Sequence, residues 1–293
     1  MSKPIEKIIK EYSPRGPLKQ YRFEKSLSFN CFRCTQSKTS KLITIYYGDW
    51  HKRLCNGCYS TLISIYDIKV GQFSNEEKAD KLSTLLLTLV DKHQIKEQEN
   101  KIWLMQNQVK FLSKPSLKFF ATAECVANTL DKEENLDWSP AVIGLCKAFE
   151  LEMTEHFINP LKKFYKGNEI VDSDLKDKDY GRIAAYCAGK AINPPELGVI
   201  NHFIKTVINS KDRIEKSLFL RHGLKDFLSK RPNSTWVTDK SGFSTAVDTL
   251  TKRFRNKAAH TDELTSDDYY SCKELIFGEK GIMWDLISSM QSR

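Results

Sequence analysis

Cys31-Phe32-Arg33-Cys34, a spacer of twenty residues, and then Cys55-Asn56-Gly57-Cys58 form the stretch that decides how this chain is read. A Cys-x-x-Cys pair on a tight turn aims two sulfurs at one centre. Two such pairs supply the four soft, anionic ligands that a tetrahedral zinc ion takes. A redox dithiol needs one pair only, set in a βαβ unit. Cys31, Cys34, Cys55 and Cys58 are therefore expected to bind one structural zinc ion. His51 stands beside the second pair, but four cysteines already complete the shell. Cys125, Cys146, Cys187 and Cys272 are scattered through apolar surroundings and read as buried core thiols.

Working outward, the metal module covers residues 29–72. Leu42 to Tyr47 is β-branched and aromatic and reads as a strand closed by the Gly48-Asp49 turn, and Tyr59 to Ile68 reads as a short helix. Lys38, Lys41, Lys52 and Arg53 flank the ligands and are the candidate nucleic-acid contacts, because Lys and Arg track phosphates. Tyr46, Tyr47 and Trp50 either stack on bases or fill the core of so small a unit. Upstream, residues 1–28 carry Pro4, Pro14, Gly16 and Pro17 among many charges and read as a basic N-terminal arm.

The formal net charge of the 293-residue chain is +9, and its distribution is uneven. Residues 1–73 hold thirteen Lys/Arg against five Asp/Glu, or +8, which leaves +1 for the other 220 residues. Concentrated positive charge is the electrostatic footprint of a polyanion binder, most often a nucleic acid. The first ten residues lack a signal-peptide apolar core. The run Leu85 to Val90 is far shorter than the ~20 residues a bilayer needs, so a cytoplasmic protein with no membrane association is expected.

Ser74-Asn75-Glu76-Glu77 reads as a helix start, a small polar cap with acids in the first turn. Leu82, Leu86, Leu89, Ile102, Val109 and their neighbours then mark one face of a long helix over 73–113, a linker or coiled-coil arm in which Asp91 to Lys101 is polar enough for a break. Residues 114–293 read as an α-helical domain. Ser139-Pro140 opens one amphipathic helix, and Thr265 with Asp268 resembles a capping box for another. The fold class is mainly α, a small zinc module followed by a long helix and a helical bundle.

The segment Leu54-Cys55-Asn56-Gly57-Cys58-Tyr59 resembles the LCNxC stretch of GATA-type zinc fingers, over about thirty residues. That resemblance implies a treble-clef module whose second cysteine pair opens a helix.

Near the C-terminus, Phe254-Arg255-Asn256-Lys257-Ala258-Ala259-His260 resembles the R-x4-6-H motif of HEPN-domain ribonucleases, and Asp137 to Glu150 resembles an early core helix of bacterial HEPN-like proteins. The resemblance implies a HEPN-like bundle over about residues 116–293, acting as a homodimer or higher homo-oligomer on RNA without a catalytic metal. His260 would serve as acid or base, Arg255 would present its fork to phosphate oxygens, and Asn256 would orient the imidazole. On an ideal helix a spacing of five puts two side chains about 140° apart, so Arg255 and His260 converge only where the helix ends or bends, or where two chains share a site. Glu150 and Glu152 read as a solvated helix face, with assistance to the motif as the alternative. His93, His156, His202 and His222 have no comparable setting.

The functional expectation is a metal-independent endoribonuclease with a zinc-finger nucleic-acid-recognition module, of prokaryotic defence or toxin type. The alternative is a non-catalytic nucleic-acid-binding or adaptor protein that dimerises through its helices. A third reading has the zinc finger bind a protein partner.

Overall fold

The computed structural model describes residues 6–105, 107–131, 137–168, 176–207, 210–231, 233–239, 241–260 and 263–290. The expected loops at 131–135 and 167–179 fall largely outside these residues, as do the first five residues of the expected arm.

The N-terminal part is a four-stranded antiparallel meander, β1 (Ile8–Glu11), β2 (Leu18–Asn30), β3 (Ser37–Tyr46) and β4 (Asp49–Leu54), in that spatial order. Residues 6–28 are thus not an arm but half of the sheet. Tyr21 and Phe23 alternate with Arg22 and Glu24 along β2, which puts the two rings on one face, against Trp50 at 4.8 and 6.5 Å. Pro14, Gly16 and Pro17, three of the residues that suggested an arm, lie in the tight connection between β1 and β2, and Pro4 lies outside the described residues. Arg15 and Leu18 exchange backbone hydrogen bonds there, and Gly16 takes φ +56° with the Tyr66 ring where a Cβ would sit. Tyr46 and Trp50 belong to the module's core, as Leu18, Ile43, Ile45 and Leu54 do, so packing accounts for them without stacked bases.

Helix α1 (Asn56–Val70) leaves the sheet directly from β4. It carries Leu62 and Ile63 into the sheet's core and Ile65 into the helical core. The expected long helix over 73–113 is broken into α2 (Asn75–Leu86), α3 (Lys92–Met105) and a 3₁₀ turn at Asn107–Phe111. The Ser74–Glu77 capping box forms as read, with Glu77 N donating to Ser74 Oγ at 3.2 Å and Ser74 N to Glu77 Oε2 at 2.9 Å. Leu82, Leu86, Ile95, Ile102 and Val109 are buried in the main helical core, so this segment is no free arm: its apolar stripe is spent on its own chain. The helix folds back because one long rod could not lay both Leu86 and Ile102 against the same bundle.

The rest is helical among the described residues. Helix α4 (Lys114–Leu130) packs on α5 (Ser139–Met153), whose Gly144 lets Leu86 and Ala123 come close: an added Cβ would lie 2.4 Å from Leu86 Cδ2. A π-turn at Thr154–Ile158 carries α5 into Asn159–Tyr165. Helices Lys178–Cys187 and Leu197–His202 follow, and later Phe243–Thr249, which runs on through a π-turn at Leu250–Asn256 to Lys257–Ala259. Ser266–Phe277 and Ile282–Met290 close the chain's described part, the first capped by Thr265 and Asp268 as expected. No helix is long and apolar enough to cross a membrane among the described residues.

Candidate functional site

A hairpin end and a strand-to-helix junction meet at the cysteines. Cys31 and Cys34 sit where β2 turns into β3, and Thr35 at φ +54° donates its N–H to Cys31 O at 2.9 Å to close the knuckle. Cys55 is the residue before α1, and Cys58 lies in its first turn, the helix-opening position that the GATA-like segment implies. The four sulfurs lie within 4.8 Å of one another. A regular tetrahedron with metal–sulfur bonds of ~2.3 Å has sulfurs ~3.8 Å apart. Cys34 and Cys55 stand at 3.9 Å, and the Cys55 N–H donates to Cys31 Sγ at 3.3 Å, the kind of amide bond that orients a thiolate ligand.

The acidity of the group points the same way. A hydrogen bond from Cys58 holds the Cys31 thiol down at about 4, against the upward push of burial. The same pairing, with burial, drives Cys58 far above its ordinary value, and burial raises Cys34. Thiols packed so closely cannot all ionise unless a cation neutralises them, so the donor set fits a thiophilic metal ion.

The four cations singled out beside the ligands are not gathered on one face. Lys38 and Lys41 stand three apart on β3, so their side chains leave opposite faces of the sheet. Lys41 is exposed. Lys38 donates to Gln36 Oε1 at 2.7 Å, Lys52 lies 5.3 Å from the Phe32 ring centre, and Arg53 Nε donates to Trp50 O at 2.9 Å. Charge that periodicity could not place lies elsewhere on the sheet: Lys10 and Arg22, both exposed, face each other across β1 and β2.

Arg255 and His260 have different surroundings. The helix does end between them and the solvent, with His260 in extended conformation as the closing residue, and the His260 side chain is exposed. The Arg255 side chain is only 3% exposed. Its Nη1 lies 3.2 Å from Glu76 Oε1 and its Nη2 3.8 Å from Glu150 Oε2. Lys147 extends the network, 2.5 Å from Glu150 Oε1 and 2.8 Å from Asp80 Oδ1. Burial pushes Lys147 down, but Glu150 and Asp80 outweigh it and hold it above its ordinary value. Two cations face three carboxylates here, so the guanidinium already sits in a network with one excess negative charge. Asn256 is half-buried.

Glu150 and Glu152 are not a solvated face. Glu150 Oε2 accepts from Leu197 N at 3.0 Å, and fully buried Glu152 accepts from Ser113 N at 2.8 Å and pairs with His156 at 2.9 Å. Glu76, which meets Arg255, was legible only as an acid in a first helical turn; nothing in one sequence tied it to a residue 179 positions away. Comparison of the chain with models of known protein families, with curated proteins and with solved structures found no match.

Proposed function

We propose that this chain binds nucleic acid through its sheet module, with zinc as the ion held by Cys31, Cys34, Cys55 and Cys58 and the helical part as its platform. The observation that carries this reading is the +8 charge of residues 1–73, of which residues 6–55, the sheet and its turns, hold eleven Lys/Arg against four Asp/Glu, with a four-cysteine cluster at one end of the sheet. Four thiolates and a divalent ion add −2, which leaves about +6 on the module. Exposed Lys10, Arg22 and Lys41 are the cations a phosphate backbone reaches most readily. Fluorescence anisotropy on single- and double-stranded RNA and DNA, as a function of salt, tests it. The double variant Lys10→Glu/Arg22→Glu should weaken binding severalfold and flatten the salt slope. Unchanged affinity would remove the sheet from the interface.

A second reading is the metal-independent endoribonuclease of prokaryotic defence or toxin type that the HEPN resemblance implies. The exposed imidazole of His260 at the end of the Arg255 helix favours it. Its chemistry needs Arg255 to exchange Glu76 and Glu150 for a phosphate, which is why binding without cleavage is placed first. Zinc-loaded protein incubated with RNA in magnesium-free buffer, beside Arg255→Ala and His260→Ala, decides. Cleavage by wild type alone supports the nuclease, and binding with intact RNA in all three supports the first reading.

A further inference from the structure

The part of the chain beyond residue 73 is close to neutral overall, yet one groove in it is strongly basic. A cleft of about 690 Å³ runs along helix Lys178–Cys187 and the turn that follows it. Lys178, Gly181, Arg182 and Ala185 fall at i, i+3, i+4 and i+7, so one stripe of the helix faces the cleft with two cations separated by small residues. Lys176 and Lys190 add two more cations. Among the described residues, no Asp or Glu belongs to the lining. Arg182 is held by Glu196 at 2.7 Å, whereas Lys176, Lys178 and Lys190 are exposed and have no ion pair among the described residues.

Such a wall is unfavourable by itself. Like charges in one concavity repel, and a low-dielectric floor focuses their field into the cleft. A bound polyanion turns that repulsion into attraction and releases its own counterions. Ile192, 93% exposed on the rim, offers an apolar contact that a sugar or base can cover. The neighbouring cleft shares Lys176, but there Asp177 pairs with Arg213 at 2.7 Å and Asp212 with Lys216 at 2.5 Å, so the excess of unpaired positive charge belongs to the first cleft.

We propose that this groove binds the phosphodiester backbone of a single-stranded nucleic acid, as a second contact surface on the helical part. The inference rests on the reading that the chain binds nucleic acid and assigns it a site that the cysteine module does not contain. The test is anisotropy with 20-nucleotide single-stranded RNA and DNA across a salt series, on wild type, Lys178→Glu/Lys190→Glu, and Lys10→Glu/Arg22→Glu, with zinc content and thermal stability as folding controls. The groove variant should keep both controls. It should lose about tenfold or more in affinity and about two from the slope of log K against log salt. Parallel loss on RNA and DNA identifies the shared backbone as the ligand, and loss on RNA alone narrows it to ribose-bearing strands. Wild-type affinity in the folded groove variant, with loss in the sheet variant, overturns the groove and leaves the sheet reading intact. Loss in the groove variant alone upholds the groove and removes the sheet. Failure of wild type to bind any strand overturns both, and groove-dependent capture by phosphatidylglycerol vesicles without strand binding assigns the surface to lipid instead.

Discussion

Lys69 reaches Asp137 across 68 positions of sequence, Nζ to Oδ2 at 2.6 Å, with both side chains less than a tenth exposed. Lys69 lies in the last turn of α1, the helix that carries Cys58 of the four-cysteine cluster in its first turn, and Asp137 stands just before α5. Asp137 Oδ1 also accepts from Ser139 N and Leu264 N, and Glu263 next to it accepts from both Tyr46 and Tyr47 hydroxyls. The sheet module is thereby locked to the helical part through one buried ion pair and its hydrogen bonds.

Breaking that pair from one side should be costly. Lys69→Met leaves a buried carboxylate without its cation, and we expect a loss of about 3 kcal/mol in urea unfolding. Lys69→Met/Asp137→Leu should recover part of it, since an apolar pair carries no desolvation penalty. A single variant as stable as wild type would show the seam to be held by packing alone.

With zinc held by the four cysteines as proposed, removing it should melt the sheet module. Apparent binding energies of structural zinc, about 10–16 kcal/mol near neutral pH, rival the whole stability of a domain. Chelated protein and Cys31→Ser should each lose one equivalent of zinc per chain by elemental analysis, and the strand signal in circular dichroism with it. Helical signal from the remainder should persist. An apoprotein whose strands survive to the same melting temperature would contradict this.

Arg255 and His260 should separate cleanly in stability. Arg255→Ala removes a buried cation from between Glu76, about a third exposed, and buried Glu150, which keeps Lys147, and about 2–3 kcal/mol should be lost. His260→Ala touches an exposed side chain and should stay within ~0.5 kcal/mol. Equal stability for the two variants would mean that the guanidinium is not committed to the interior.

Stability should fall with acid, and Asp177 should contribute. Burial alone would raise this carboxyl, but hydrogen bonds from Tyr180 N, His202 and Arg213 outweigh it and hold it well below the aspartate range. Glu152 is likewise lowered, by His156, Ser116 and Ser113 against burial. A carboxyl lowered in the folded state stabilises fully above its unfolded pKa, near 4, and loses that contribution as pH falls toward the folded value. Denaturant midpoints measured from pH 6 to pH 3 should decline below about pH 4.5, and Asp177→Asn should shallow the decline. A parallel curve for that variant would exclude the residue.

Gly16→Ala tests the turn that recruits the N-terminal strands. The residue sits at φ +56°, and an added Cβ would meet the Tyr66 ring at 2.3 Å. A loss above about 1 kcal/mol is expected from the strained backbone and the clash together. No loss would place Tyr66 elsewhere in solution.

The sequence by itself determined whatever is local. Two Cys-x-x-Cys pairs assemble because each pair is already a turn, and the caps at Ser74 and Thr265 form because donor and acceptor are three residues apart. Helical periodicity found the stripes of α2 and α5 on the same ground, since a helix fixes its faces without reference to the rest of the chain. Tertiary structure alone decided where those faces go. It drew residues 6–30 into the sheet, because strand pairing joins segments that no short window compares. It also folded the 73–113 stretch against the bundle rather than along a partner. The same long-range packing set Glu76 and Glu150 on Arg255 while leaving His260 outside, because a carboxylate finds its cation by the approach of helices and not by spacing along a sequence.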